Sequence, residues 1–101
     1  MILIADDDKA ILLSLGVLLK RAGYEVVSAD NPDGVIAAVR RGGLRLVMMD
    51  MNYSRDTSGE EGIELLQKIR ILAPQVPVIL MSGWGSIDLA VRGMRLGAFD
   101  F

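Results

Sequence analysis

The chain contains no cysteine and no histidine. Without cysteine there is no disulfide framework, no thiol nucleophile and no thiolate metal site. Without histidine, Ser-His-Asp triads, imidazole-ligated zinc and histidine general bases are excluded within this chain. Any metal it holds must be bound by oxygen, which points to magnesium, manganese or calcium. An excess of basic residues is also missing: 11 basic side chains against 13 acidic ones leave a net charge of −2. A nucleic-acid backbone demands a basic face, so this domain is not expected to bind nucleic acid by itself. No apolar run is long enough to span a membrane, since the longest, over residues 10–19, is short and broken by Ser14 and Gly16. The N-terminus has no basic region and meets three aspartates at once, so it does not read as a secretory signal, and the default expectation is a cytoplasmic protein. There is no internal repeat, linker or low-complexity tract.

What is present is enough apolar mass for one core: 101 residues, of which 51% are hydrophobic, make a single domain over residues 1–101. The pattern alternates. Residues 1–5 are a wholly apolar run, as expected of a strand buried on both faces. Asp8 can cap a helix over residues 9–22, in which Ile11, Leu12, Leu15, Leu18 and Leu19 recur at helical spacing and which Gly23 stops. A second strand is expected over residues 24–29, and Asn31-Pro32 opens a second helix that ends at Gly42-Gly43. Residues 44–49 read as a third apolar strand with Asp50 at its C-terminal end. Ser58 and Glu61 have capping-box spacing for a helix over residues 60–72. Residues 78–81 form a fourth strand, residues 86–96 a helix terminated by Gly97, and residues 98–101 the start of a fifth strand. Strands alternating with helices through short loops predict an α/β, doubly wound parallel sheet.

In such sheets ligands bind at the carboxyl ends of the strands, near the point where strand order reverses. The first strand delivers Asp6, Asp7 and Asp8 there, the third delivers Asp50, and the fourth delivers Ser82 followed by Gly83. An aspartate after a strand is commonly only a helix cap, and that is the reading for Asp8. Three in a row exceed what a cap needs. Two like charges about 4 Å apart repel by roughly 4 kcal/mol at an effective dielectric near 20. Either a hard divalent ion or a raised pKa relieves that repulsion. Magnesium suits such a rim, because it takes one or two carboxylates, keeps several waters and leaves room for phosphate oxygens. Met48, Met49 and Met81 read as strand core, and Ser82 alone would read as a turn residue. Trp84, between glycines, reads as a part-exposed loop aromatic.

The segments Ile2-Leu3-Ile4-Ala5-Asp6-Asp7-Asp8, Leu46-Val47-Met48-Met49-Asp50, Val78-Ile79-Leu80-Met81-Ser82-Gly83 and Gly97-Ala98-Phe99-Asp100-Phe101 resemble, in order and spacing, the receiver domain of two-component response regulators. The resemblance implies a flavodoxin-like sheet of order 2-1-3-4-5, with the sequence stopping before that family's fifth helix. It implies that Asp50 is the phosphoacceptor for a sensor histidine kinase. Asp7, Asp50 and the backbone carbonyl of Asn52 would bind Mg2+, with Asp6 supporting. Ser82 would be the switch hydroxyl and Phe101 the aromatic whose rotamer follows it. Residues 81–91 are similar to receivers attached to enhancer-binding transcription activators, whose ATPase and DNA-binding output domains would lie outside this chain. A receiver of this kind is not an enzyme beyond its own phosphoryl transfer and dephosphorylation.

Two departures from the family pattern stand out. Residues 52–62 contain no proline and are longer than the family's loop after the phosphoacceptor. The family's phosphate-binding lysine, proline and last helix lie beyond Phe101. Without that helix an apolar patch should be uncovered, and such patches find partners, a second copy of the chain among them. Two alternatives are therefore kept open. One is a degenerate receiver that takes no phosphate and acts as a dimerisation or interaction module. The other is a magnesium-dependent phosphatase with an aspartyl nucleophile, although position 52 is Asn where such an enzyme has an acid.

Overall fold

The protein, seen as a computed structural model, is described for residues 1–51, 60–81 and 87–101. The elements follow the alternation: β1 (Ile2–Ala5), α1 (Lys9–Arg21), β2 (Val26–Ala29), α2 (Pro32–Arg41), β3 (Leu46–Asp50), α3 (Glu60–Leu72), β4 (Val78–Met81) and α4 (Ile87–Arg95). All pairings are parallel and the sheet order is β2-β1-β3-β4. The expected fifth strand amounts to one parallel bridge between Ile79 and Asp100, flanked by hydrogen bonds from Phe99 N to Val78 O at 2.8 Å and from Leu80 N to Asp100 O at 3.0 Å. That bridge places the segment at the fifth position of the predicted order. β1 sits between β2 and β3, so the order reverses beside it, and in sheets of this kind ligands bind at the carboxyl end of the strands at that point.

Local chemistry sets the element ends. Asp8 has extended backbone angles and its carboxylate accepts the Ala10 amide at 2.8 Å, capping α1. At the other end Gly23 takes φ +96°, and the amides of Gly23 and Tyr24 close on the carbonyls of Lys20 and Leu19, a Schellman stop. Asn31 caps α2 by accepting the Gly34 amide at 2.8 Å, with Pro32 as the first helical residue.

One face of the sheet carries the main core. Leu3, Ala5, Val47, Met49, Met51, Val78 and Leu80 pack beneath α2, α3 and α4, which contribute Val35, Ala38, Val39, Ile63, Leu66, Ile69 and Leu89. Strand alternation sends Ile2, Ile4, Leu46, Met48, Ile79 and Met81 to the opposite face. There α1 packs on β1 and β2. Ile2 and Ile4 are buried, whereas Leu46, Met48, Ile79 and Met81 are only half-covered. Met49 is core as its apolar run suggests, but Met48 and Met81, read as core from the same kind of run, are not, because they point to the face that α1 covers only in part. Leu12, Leu15 and Leu19 are half-buried on the sheet, but Ile11 and Leu18 are 42% and 63% exposed. Helical spacing identifies the apolar side of α1 correctly. It does not say that this side is wider than the two strands it covers. α4 likewise buries Leu89 and Gly93 and turns Ile87, Val91 and Met94 outward.

Candidate functional site

The three consecutive aspartates are given three different roles by the start of α1. Asp8 is spent on the cap. Asp6 continues the β1–β2 ladder, its amide donating to Ala29 O at 3.1 Å, and its side chain is buried at 7% exposure. One of its carboxylate oxygens accepts the Asp8 amide at 2.9 Å, which fixes the rotamer. Asp7 is exposed at the rim. Asp50 is the last residue of β3, in register with Met81 of β4 and half-buried. The main chain just past it is anchored by a hydrogen bond from Met51 N to Met81 O at 3.0 Å.

These elements bring Asp6, Asp7 and Asp50 together, with one carboxylate oxygen from each lying within 4.8 Å of the other two. Oxygens on opposite sides of one divalent ion lie about 4–5 Å apart, since each bond is about 2.0–2.6 Å. The spacing and the all-oxygen donor set therefore fit a single hard cation. The electrostatics agree. Burial pushes the Asp6 carboxyl above the usual carboxylate range; the Asp8 amide hydrogen bond pulls the other way, and the charges of Asp7 and Asp8 raise it further. A buried carboxylate beside two others is a strained charge, and a dication relieves it.

Of the remaining candidates, Asn52, Ser82 and Trp84 lie outside the described residues, as does Ser58 of the expected capping box. Phe101 is partly exposed, and its amide donates to Asp100 Oδ1 at 2.7 Å. Reading the sequence for chemistry passed over Met51 and Gly62. Met51 is fully buried directly behind Asp50, and Gly62 packs on its backbone. The available signal was a glycine inside a helical pattern.

The fold and the sequence have counterparts in known proteins. The family model described as "Response regulator receiver domain" matches residues 2–101. The chain belongs to the response regulator receiver family. It is 35% identical to the response regulator protein FleR of Pseudomonas aeruginosa over 99% of this chain and 20% of that protein. It is also 35% identical to the transcriptional regulatory protein FixJ of Bradyrhizobium diazoefficiens, over 99% of this chain and 47% of that one. The chain thus spans less than half the length of these curated relatives. Among solved structures, the receiver domain of NtrX from Brucella abortus superposes with a TM-score of 0.88 at 34% identity, covering 100% of this chain and 82% of that one. A response regulator from Burkholderia pseudomallei, solved with a phosphorylated aspartic acid, calcium ion and citrate, gives 0.88 at 25% identity, covering 98% of this chain and 56% of that one. Receiver domains hold a divalent ion in an acidic pocket, work with histidine kinases and are not in general enzymes. Among the described residues no helix is long and apolar enough to cross a membrane.

Proposed function

We propose that this receiver accepts a phosphoryl group on Asp50 from the phosphohistidine of a sensor kinase and thereby switches an output domain outside this chain. The observation that carries the reading is the convergence of Asp6, Asp7 and Asp50 oxygens within 4.8 Å of one another, from the residues just after β1 and the last residue of β3, far apart along the chain. The Asp50 carboxylate attacks phosphorus, the O–P bond forms as the P–N bond breaks, and the imidazole leaves with the electron pair and takes up a proton. Asp7 and Asp50, with the Asn52 carbonyl, would hold Mg2+, and Asp6, fixed by the Asp8 amide, would support them from the buried side. Bound there, Mg2+ supplies the positive charge that lets two anions approach. Ser82 opens the segment between β4 and α4 and would hydrogen-bond the new phosphoryl oxygens, with Phe101 following it. The relatives FleR and FixJ are a response regulator and a transcriptional regulator, which supports an output in transcription.

Incubation with acetyl phosphate and Mg2+ should add one phosphoryl group per chain, detected by intact mass, and Asp50→Asn should abolish it. Absence of labelling in the unaltered chain would leave the degenerate receiver as the reading. Sustained turnover of a small phosphate ester would instead select the phosphatase, against which Asn52 already stands as a residue with no acidic proton to give.

A further inference from the structure

We infer that Gly62 is a positioning residue for the acidic site, setting where the main chain delivers Asp50; the inference rests on the reading of Asp6, Asp7 and Asp50 as a divalent-ion site. Gly62 is the third residue of α3 and is buried. A glycine inside a helix lowers helix stability relative to alanine, so its presence there needs a compensating reason. The reason is visible in what a Cβ at this position would meet. It would overlap the Met51 carbonyl oxygen and lie 2.6 Å from Met51 Cα and 2.8 Å from Met51 C. All three are backbone atoms, and Met51 directly follows Asp50. No rotamer change can make room, so either the first turn of α3 or the chain at Asp50–Met51 has to move.

Met51 is held from three directions. Its amide donates to Met81 O at 3.0 Å, its side chain is fully buried, and the bare Gly62 backbone closes on it from α3. This fixes the main chain one residue beyond Asp50. The Asp6 side is fixed independently, by the Asp8 amide and the β2 carbonyl of Ala29. The β1–β3 ladder joins the two halves as far as Ala5 and Met49; past that last pair, the course of the chain at Asp50–Met51 also depends on how closely α3 can approach. Gly93 of α4 is an internal contrast. A Cβ there would strike only Leu80 Cδ1, the movable end of a side chain on the far side of β3 from Asp6.

The test measures Mn2+ affinity by paramagnetic resonance alongside melting temperature, for the unaltered chain, Gly62→Ala and Gly93→Ala. Both variants should melt lower. Only Gly62→Ala should lose affinity, by about 10–100-fold, the range typical when a group that orients a ligand is disturbed. Equal affinity in Gly62→Ala and the unaltered chain, or equal losses in both variants, would overturn the proposal. If Gly62→Ala does not fold, the unaltered chain decides the matter. On titration with Mg2+ its Gly62 amide resonance should shift with the same saturation curve as Asp50, while Gly93 stays still. A silent Gly62 amide would refute the role. If the unaltered chain binds no Mn2+ or Mg2+, it is the underlying metal-site reading that fails.

Discussion

Arg92 on α4 grips Glu60, the first residue of α3, with both terminal guanidinium nitrogens: Nη1 donates to Oε1 at 2.7 Å and Nη2 to Oε2 at 3.2 Å. The two helices follow the two segments that leave the acidic rim, one after Asp50 and one after Met81. A bidentate pair fixes relative orientation as well as distance. Both side chains are about half exposed, so the pair is screened and its energetic weight is small. Arg92→Ala and Glu60→Gln should therefore each lower the melting temperature slightly in dilute buffer, and the double variant should be less destabilised than the sum of the two. At 1 M salt the Debye length is about 3 Å, and the deficits should shrink. Deficits that do not change with salt would mean the pair acts through packing.

Gly16 is a mid-helix glycine of the opposite kind to Gly62. It is buried in α1, yet a Cβ there would meet no atom within 4 Å. Gly16→Ala should therefore gain the helix propensity without any clash. The expected stabilisation is about 0.5–1 kcal/mol, several degrees in melting temperature for a domain of this size. Thermal unfolding followed by circular dichroism measures it. A drop would mean that α1 sits closer to β2 in solution.

Most of this architecture was legible because each element is locally consistent. The bounds of α3 and β4 are as the sequence predicts, and the Asp8 cap, the Asn31-Pro32 start and the Gly23 stop all operate as the residue types require. Asp50 differs slightly: it is the last paired residue of β3, since the ladder to Met81 extends one step further than apolarity alone shows. Other features could not be read. The exposure of Ile11 and Leu18 depends on how many strands α1 covers, a tertiary quantity absent from its periodicity. The roles of Gly62 and Met51 depend on the gap between a helix and a strand end. Composition reports that a glycine is there but not what approaches it.

The acidic cluster should make stability depend on divalent ions. A ligand that binds only the folded state adds about 2.7 kcal/mol when present at a hundredfold excess over its Kd. Mg2+ should raise the melting temperature progressively, and Asp50→Asn or Asp7→Asn should flatten that response, because each removes one of the three oxygens within 4.8 Å. A melting temperature unaffected by millimolar Mg2+, Mn2+ and Ca2+ alike would rule out a competent metal site.

Asp6 gives the sharpest contrast, because its burial works against the fold when no ion is present. Its carboxyl is raised above the usual range, first by desolvation and then by Asp7 and Asp8, with the Asp8 amide offsetting part of this. The folded state therefore holds the Asp6 proton more tightly than the unfolded chain does. The resulting stabilisation is fully present below the unfolded carboxylate value, about 3.9, and is lost as pH rises through the raised folded value. At neutral pH and without metal, Asp6→Asn should be more stable than the unaltered chain, since the amide keeps an acceptor for the Asp8 N–H without a buried charge. Toward the acid side of that window the two should converge. Saturating Mg2+ should reverse the ranking at neutral pH, because the ion stabilises only a charged Asp6. Its affinity for the unaltered chain should also fall as pH drops through the raised Asp6 value, where a proton competes for the same oxygens. Melting curves at several pH values, with Mg2+ and with chelator, test both statements. An Asp6→Asn variant that is the less stable protein in chelator at neutral pH would show that burial of this carboxylate is compensated within the fold itself.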